Sequence, residues 1–272
     1  MKYPPEQATV FIDAAQKIIQ SDAGPDVKLR ELWKSLITLH SMALNYMLKC
    51  LTGGRVLSGP FKGMALLSEG IEQHSGAVLL GCYEKELHNA IERIIAEPYQ
   101  QILNIGCSFG YYSVGLAMRM PTTAINAYDI DPAAREKCKA AAALNGVGDR
   151  IKISGEFRGE DFAAYTIKKT LALVDIEGAE MHLLDPARYP ALRKMDLIVE
   201  LHDCYDPSIS KTILERFSPS HDIEFIQNKT SMFPFEDYLD PSVKIDPFDN
   251  LLLTSELREG PTPWAVMRTK SI

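Results

Sequence analysis

Paired cysteines are missing from this sequence. The five present, Cys50, Cys82, Cys107, Cys138 and Cys204, are scattered, odd in number and never spaced C-x-x-C, which argues against a zinc or thioredoxin-like site and points to reduced thiols in a cytoplasmic protein. A basic stripe is missing too. The formal charge is -7, and no run of Lys and Arg is present to track a phosphate backbone, so nucleic acid is not an expected partner. The opening MKYPPEQATVFIDAAQ lacks the basic and apolar regions of a secretory signal, and no export is expected. The one segment resembling a membrane span, residues 32–51, is crossed at helical spacing by Lys34, Thr38, Ser41, Asn45 and Lys49. That stripe marks a soluble amphipathic helix, so no membrane partner is expected. Internal repeats and low-complexity tracts are also absent.

What is there suffices for a packed core. The 272 residues are 46% apolar and 24% charged, which fits one large α/β domain with an appendage. Helical patterns cover residues 7–20 and 27–51, separated by the breaker SDAGPD. Residues 53–81 are glycine-rich with short apolar runs and read as irregular or hairpin structure. A helix over 83–98 then leads into strands at 101–105, 123–129, 150–154, 170–175, 196–201, 223–227 and 264–268. Helices at 111–118, 132–144 and 208–217 fall between them. This alternation predicts an α/β fold, a doubly wound, mostly parallel Rossmann-like sheet with an N-terminal helical extension. The expected division is an extension over 1–81, able to act as a cap and to form homo-oligomers through its helices, and a ligand-binding domain over 82–272. Residues 231–263, with Phe233, Phe235, Tyr238 and Phe248 among acids and prolines, read either as a lid on the substrate or as an excursion anchored by its aromatics.

The first regular strand runs into NIGCSFGYYSVGLA, where Gly106 and Gly110 free the turn of Cβ atoms at the entry to a helix. Their G-x-x-x-G spacing is neither the dinucleotide pattern nor a P-loop. The second strand ends in AYDIDP. Its Asp129 stands nineteen residues after Gly110, where an acid on the neighbouring strand tip accepts hydrogen bonds from both hydroxyls of a ribose. Capping the helix at Pro132 suits Asp131 better. A third strand followed by Gly155-Glu156-Phe157 completes a set able to hold a nucleoside.

NIGCSFGYY, AYDIDP, LVDIEGAE and IVELHD, in this order, resemble the class I S-adenosylmethionine-dependent methyltransferases, specifically the FkbM-like group. The resemblance spans residues 59–217, and GPFKGM with LLGCYEKEL upstream is similar to a bacterial subset. It implies S-adenosylmethionine (SAM) as cofactor, with Gly106, Ser108 and Gly110 at its methionine part, Asp129 at the ribose, and Glu156 and Phe157 at the adenine. Asn104, Cys107 and Ile130 join the same set. Asn104 departs from the pattern, which usually has Asp. An amide still accepts a hydrogen bond from the methionine ammonium but loses the charge pairing.

The fourth and fifth strands end in the residues able to react. Asp175 closes LALVD, and Glu200 and His202 share one face at the end of the fifth strand. Together they form either an acid/base group or the ligands of a divalent cation. Glu177 and Glu180 read as helix N-terminal acids, and His182 as structural. The expected reaction is methyl transfer to a hydroxyl of a small molecule, a sugar or secondary metabolite. The rival readings are an NAD(P)-dependent oxidoreductase and a non-catalytic nucleoside-binding regulator.

Overall fold

The computed structural model of this chain describes residues 5–67, 75–228, 233–240, 243–256, 258 and 260–270. Seven strands form one sheet: β1 (Gln101–Ile105), β2 (Ala124–Tyr128), β3 (Ile151–Ser154), β4 (Thr170–Val174), β5 (Asp196–Glu200), β6 (His221–Ile226) and β7 (Trp264–Thr269). Their order is β3-β2-β1-β4-β5-β7-β6. Strands β1 to β5 pair in parallel, while β7 runs antiparallel between β5 and β6. QILNI and TLALV are buried at every position, as continuous apolar runs must be when both faces of a parallel sheet are covered. The edge strand β6 differs. Its HDIEFI is largely uncovered, with Asp222 and Glu224 guarding an edge that would otherwise pair with another chain.

The helices are α1 (Pro5–Gln20), α2 (Pro25–Thr52), α3 (Ser75–Leu80), α4 (His88–Ile95), α5 (Tyr111–Arg119), α6 (Pro132–Leu144), α7 (Glu180–Leu183), α8 (Ile209–Phe217) and α9 (Pro247–Thr254). From β1 the chain winds outward to β2 and β3, then returns to place β4 on the other side. The register sets Ile105 beside both Tyr128 and Val174, so the carboxyl ends of the three strands are level. Ligands on doubly wound sheets lie at such a reversal.

Two compact units divide the chain. One contains the described residues within Met1–Leu57, Ser68–Tyr83 and Thr230–Leu257, and so holds α1, α2, α3 and α9. In it the second half of α2 buries Leu39, Ala43, Leu44 and Leu48. Gly76 lets α3 approach closely, since a Cβ there would lie 2.6 Å from both Asn45 Oδ1 and the Leu253 carbonyl. The other unit contains Ser58–Leu67, Glu84–Lys229 and Arg258–Ile272 as far as they are described, and carries the sheet. There the Phe61 ring meets Tyr111 and Tyr112 edge-on, at 5.0 and 5.9 Å, and covers Gly115, where a Cβ would overlap it.

Three expectations are corrected. The single helix read over 83–98 is a 3-10 turn, Lys85–Leu87, followed by α4, because Glu84 takes a left-handed backbone that no continuous helix accommodates. Residues 53–81 include α3 rather than only irregular or hairpin structure. Within 231–263, residues 247–254 are helical as α9, started by Asp246, whose side chain accepts from the Phe248 and Asp249 amides. Residues 231–232, 241–242, 257 and 259 of that segment lie outside the described residues. No helix among the described residues is long and apolar enough to cross a membrane.

Candidate functional site

The turn after β1 is built around a missing side chain. Gly106 has φ 84°, and a Cβ there would stand 1.6 Å from the carbonyl oxygen of Asp175 at the end of β4. Only glycine lets the two strand ends close this tightly. The Gly106 and Cys107 amides both donate to the Tyr128 carbonyl, at 2.8 and 2.9 Å, which ties the turn to the end of β2. Gly110, at φ 93°, begins α5 and leaves room for the Cys138 thiol. Cys107 is buried beside that thiol. The Cys138 neighbour first, and burial second, push its pKa up, so it stays a neutral thiol.

Asp129 follows β2 and is fixed by backbone donors on both oxygens: Ser108 N–H to Oδ2 at 2.8 Å and Asp131 N–H to Oδ1 at 2.9 Å. A carboxylate has about four acceptor sites, so two remain for a ligand's hydroxyls. Asp131 caps α6 as expected, accepting from Ala133 N–H at 2.9 Å. Beyond β3, Phe157 is buried edge-on against Tyr128 and Phe162, at 4.9 and 4.8 Å. Glu156 stays exposed and pairs with Arg158 at 2.9 Å.

A cavity of about 520 Å³ joins these residues, within the range that holds small ligands and cofactors. Gly106, Asp129, Ile130, Glu156, Phe157 and Asp175 line it, and so does His182, which the sequence reading assigned to structure. Asn104, Cys107, Ser108 and Gly110 are not part of its wall. Asn104 is buried, and its Nδ2 donates to Ser113 Oγ at 2.8 Å, while its Oδ1 has no hydrogen-bond partner among the described residues.

Glu200 and His202 stand beside Asp175 at the ends of neighbouring strands. His202 is 3% exposed. Its Nδ1 lies 2.7 Å from Glu180 Oε1, and its Nε2 lies 3.6 Å from Asp175, 3.4 Å from Glu177 and 3.7 Å from Glu200. Burial opposes the charged imidazolium, but the Glu180 hydrogen bond and the charges of Glu200, Glu180 and Glu177 prevail, and the His202 pKa is raised. For Asp175, burial first, and then the charges of Glu200, Glu84 and Glu177, hold the pKa well above the usual carboxylate range. One donor atom each from Asp175, Glu200 and His202 lie within 4.8 Å of one another.

Glu180 begins α7 as an N-terminal acid and accepts from the Gly178 amide at 3.2 Å, but it is fully buried and also bonds His202, while Glu177 has a left-handed backbone at φ 53° and accepts from Tyr205 O–H at 3.2 Å. Glu84 accepts from Tyr112 O–H and lies 3.5 Å from Arg258, which also pairs with Glu200. Sequence reasoning missed Arg258, which sits in a segment with no periodicity. Glu180 had a signal: it is the third acid in the six residues from Asp175.

No protein-family model and no curated protein matches the sequence. Among solved structures, the chain is similar to the O-methyltransferase TomG from Streptomyces achromogenes, involved in tomaymycin synthesis and solved with SAM. The identity is 14%, over 71% of this chain and 82% of that one, with a TM-score of 0.47. It is also similar to the O-methyltransferase from Bacillus cereus solved with SAH, at 11% identity over 85% of this chain and 90% of that one, with a TM-score of 0.45.

Proposed function

We propose that this chain is a SAM-dependent methyltransferase of the FkbM-like group of class I, acting on a hydroxyl of a small molecule. The observation that carries this reading is Asp129: its carboxylate is pinned by two amides in the wall of the cavity, between the glycine turn of β1 and the Glu156-Phe157 pair after β3. Ribose would sit on Asp129, adenine against Ile130, Glu156 and Phe157, and the methionine part along the turn of Gly106, Cys107, Ser108 and Gly110. One local feature fits such a ligand: Gly106, whose turn closes against Asp175, lines the cavity together with Asp129.

The cofactor supplies an activated methyl group, so the protein's tasks are to align the acceptor, exclude water and take a proton. Glu180 accepts Nδ1–H of His202 and so leaves Nε2 as the basic nitrogen. That nitrogen would take the proton of the acceptor hydroxyl, to which the bound cofactor would supply its activated methyl group. The charges of Glu200, Glu180 and Glu177 stabilise the resulting imidazolium. The second reading is a divalent cation held by Asp175, Glu200 and His202, favoured by the closeness of their donor atoms. Arg258 weighs against it, because its guanidinium already neutralises Glu200.

Calorimetry with SAM, its demethylated product and NAD tests the cofactor. Binding of the first two is expected, with Asp129→Ala weakening both by about 1–3 kcal/mol, the loss of buried hydrogen bonds to a charged acceptor. Affinity for NAD with none for SAM would overturn the reading in favour of an oxidoreductase. Methyl transfer to hydroxylated acceptors separates an enzyme from a binding regulator. His202→Ala should slow that transfer by about 10²-fold or more with SAM binding intact. Activity that survives exhaustive chelation supports the base, and activity restored only by magnesium or manganese supports the cation.

A further inference from the structure

Glu84 and Glu200 are both buried, their side chains 1% and 7% exposed, and buried carboxylates are costly unless a cation answers them. Arg258 answers both. Its Nη1 donates to Glu200 Oε1 and to Thr262 Oγ1, and its Nη2 lies 3.5 Å from Glu84 Oε1. A planar, permanently charged fork can hold two carboxylates at once in this way, where the point charge of an ammonium would serve them less well. The chain that carries Arg258 is itself fixed. The Leu201 and Cys204 amides donate to the Pro263 and Pro261 carbonyls at 2.8 and 3.0 Å, and the Thr262 amide donates to Asn228 Oδ1 at 3.0 Å. Gly260 packs so closely that a Cβ there would lie 2.8 Å from Cys204 Cβ. Residues 260–263 therefore lie along residues 201–204, just beyond β5, and hold the guanidinium at the end of that strand.

Asp175, Glu200 and His202 bring their donor atoms close enough for a metal ion, yet Glu200 is also the residue that Arg258 holds. We propose that Arg258 is the resident cation of this cluster, standing in for a divalent metal ion, and that its guanidinium keeps such an ion from binding to Asp175, Glu200 and His202. A dication on one oxygen of Glu200 and a guanidinium on the other would be like charges a single carboxylate apart, in surroundings that screen little. Pairing also pins Glu200 through Oε1, with Oε2 left 3.7 Å from His202 Nε2, so the carboxylate is not free to turn toward an ion. Taking the guanidinium away should uncover a metal site that the wild-type chain does not have. For the methyl transfer proposed above, and resting on that reading, Arg258 is a positioning residue that acts through Glu200, and the acceptor proton passes to His202 without a Lewis acid.

Calorimetry with manganese on the full chain tests this and needs neither cofactor nor acceptor, so its outcome is independent of the methyltransferase reading. The wild type is expected to bind the ion no better than its His202→Ala variant does. Two variants remove the guanidinium: Arg258→Gln alone, which leaves Glu84 as a further ligand, and Arg258→Gln with Glu84→Gln, which leaves the net charge unaltered. Either should bind manganese about tenfold more tightly than the wild type or better, the scale on which outer-shell groups change metal affinity, and adding His202→Ala should abolish the gain. Their melting temperatures should rise with manganese, as those of a chain whose folded state alone binds the ion must. Arg258→Lys, which keeps a cation in place, should exclude manganese as the wild type does. A wild type that binds manganese through His202 overturns the proposal whether or not the variants fold. So do variants that fold and gain no affinity, and variants that stay unfolded with manganese present, since the ion then cannot replace the guanidinium.

Discussion

Among the described residues, three other than glycine hold left-handed backbone, Glu84 at φ 47°, Ser108 at 46° and Glu177 at 53°, and all three belong to the candidate site. Each such conformation costs about 1–2 kcal/mol for an L-residue, so the site is held in place at the expense of stability. Asp175 adds to that expense. Its raised pKa means that, from the ordinary carboxylate value of about 3.9 upward, the folded chain keeps a proton that the unfolded chain has lost. Stability therefore falls as pH climbs through that window. Asp175→Asn removes the ionisation, and its melting temperature should exceed that of the wild type by a few degrees at about pH 8. The difference should vanish near pH 4, where both side chains are neutral. A variant that melts below the wild type at both pH values would mean that Asp175 is paired well enough in the folded state to contribute stability.

Among the elements, α6 shows how a local signal becomes a boundary. Asp131 accepts from Ala133 N–H, Pro132 takes the first helical position, and the helix ends before Asn145-Gly146. Asp131→Ala should cost about 1 kcal/mol, read as a lower urea midpoint with an unchanged slope. SAM affinity should fall far less than with Asp129→Ala, two residues away; equal losses in both would mean that the two acids act as one unit. The limits 132–144 were legible in the sequence because cap, proline and terminator coincide there. So was β1, whose apolar run stops at the turn glycine. By contrast α9 carries the same Asp-Pro start, but two turns of helix amid prolines and acids show too little periodicity to stand out. The connection from β3 to β4 holds a 3-10 segment, Gly159–Tyr165, in place of an α-helix, and no apolar spacing announces it. Motif residues such as Gly106 and Asp129 lie at strand ends and could be placed from sequence. Glu84 and Arg258 could not, because they meet only through the path of the folded chain.

At the scale of the whole molecule, the sheet is not assembled in the order of the chain. β5 pairs on one side with β4, and its other side waits for β7, the last strand, which must also hold β6. Leu197, Ile198 and Val199 are fully buried in the finished sheet, but during synthesis the β5 edge stays open until residues 264–269 emerge. A nascent chain thus carries an unsatisfied apolar edge through the production of β6 and all that follows it. The last strand therefore governs whether a newly made chain escapes aggregation. Soluble yield in the cell should depend on Trp264–Thr269 more steeply than its share of the fold's stability alone would give.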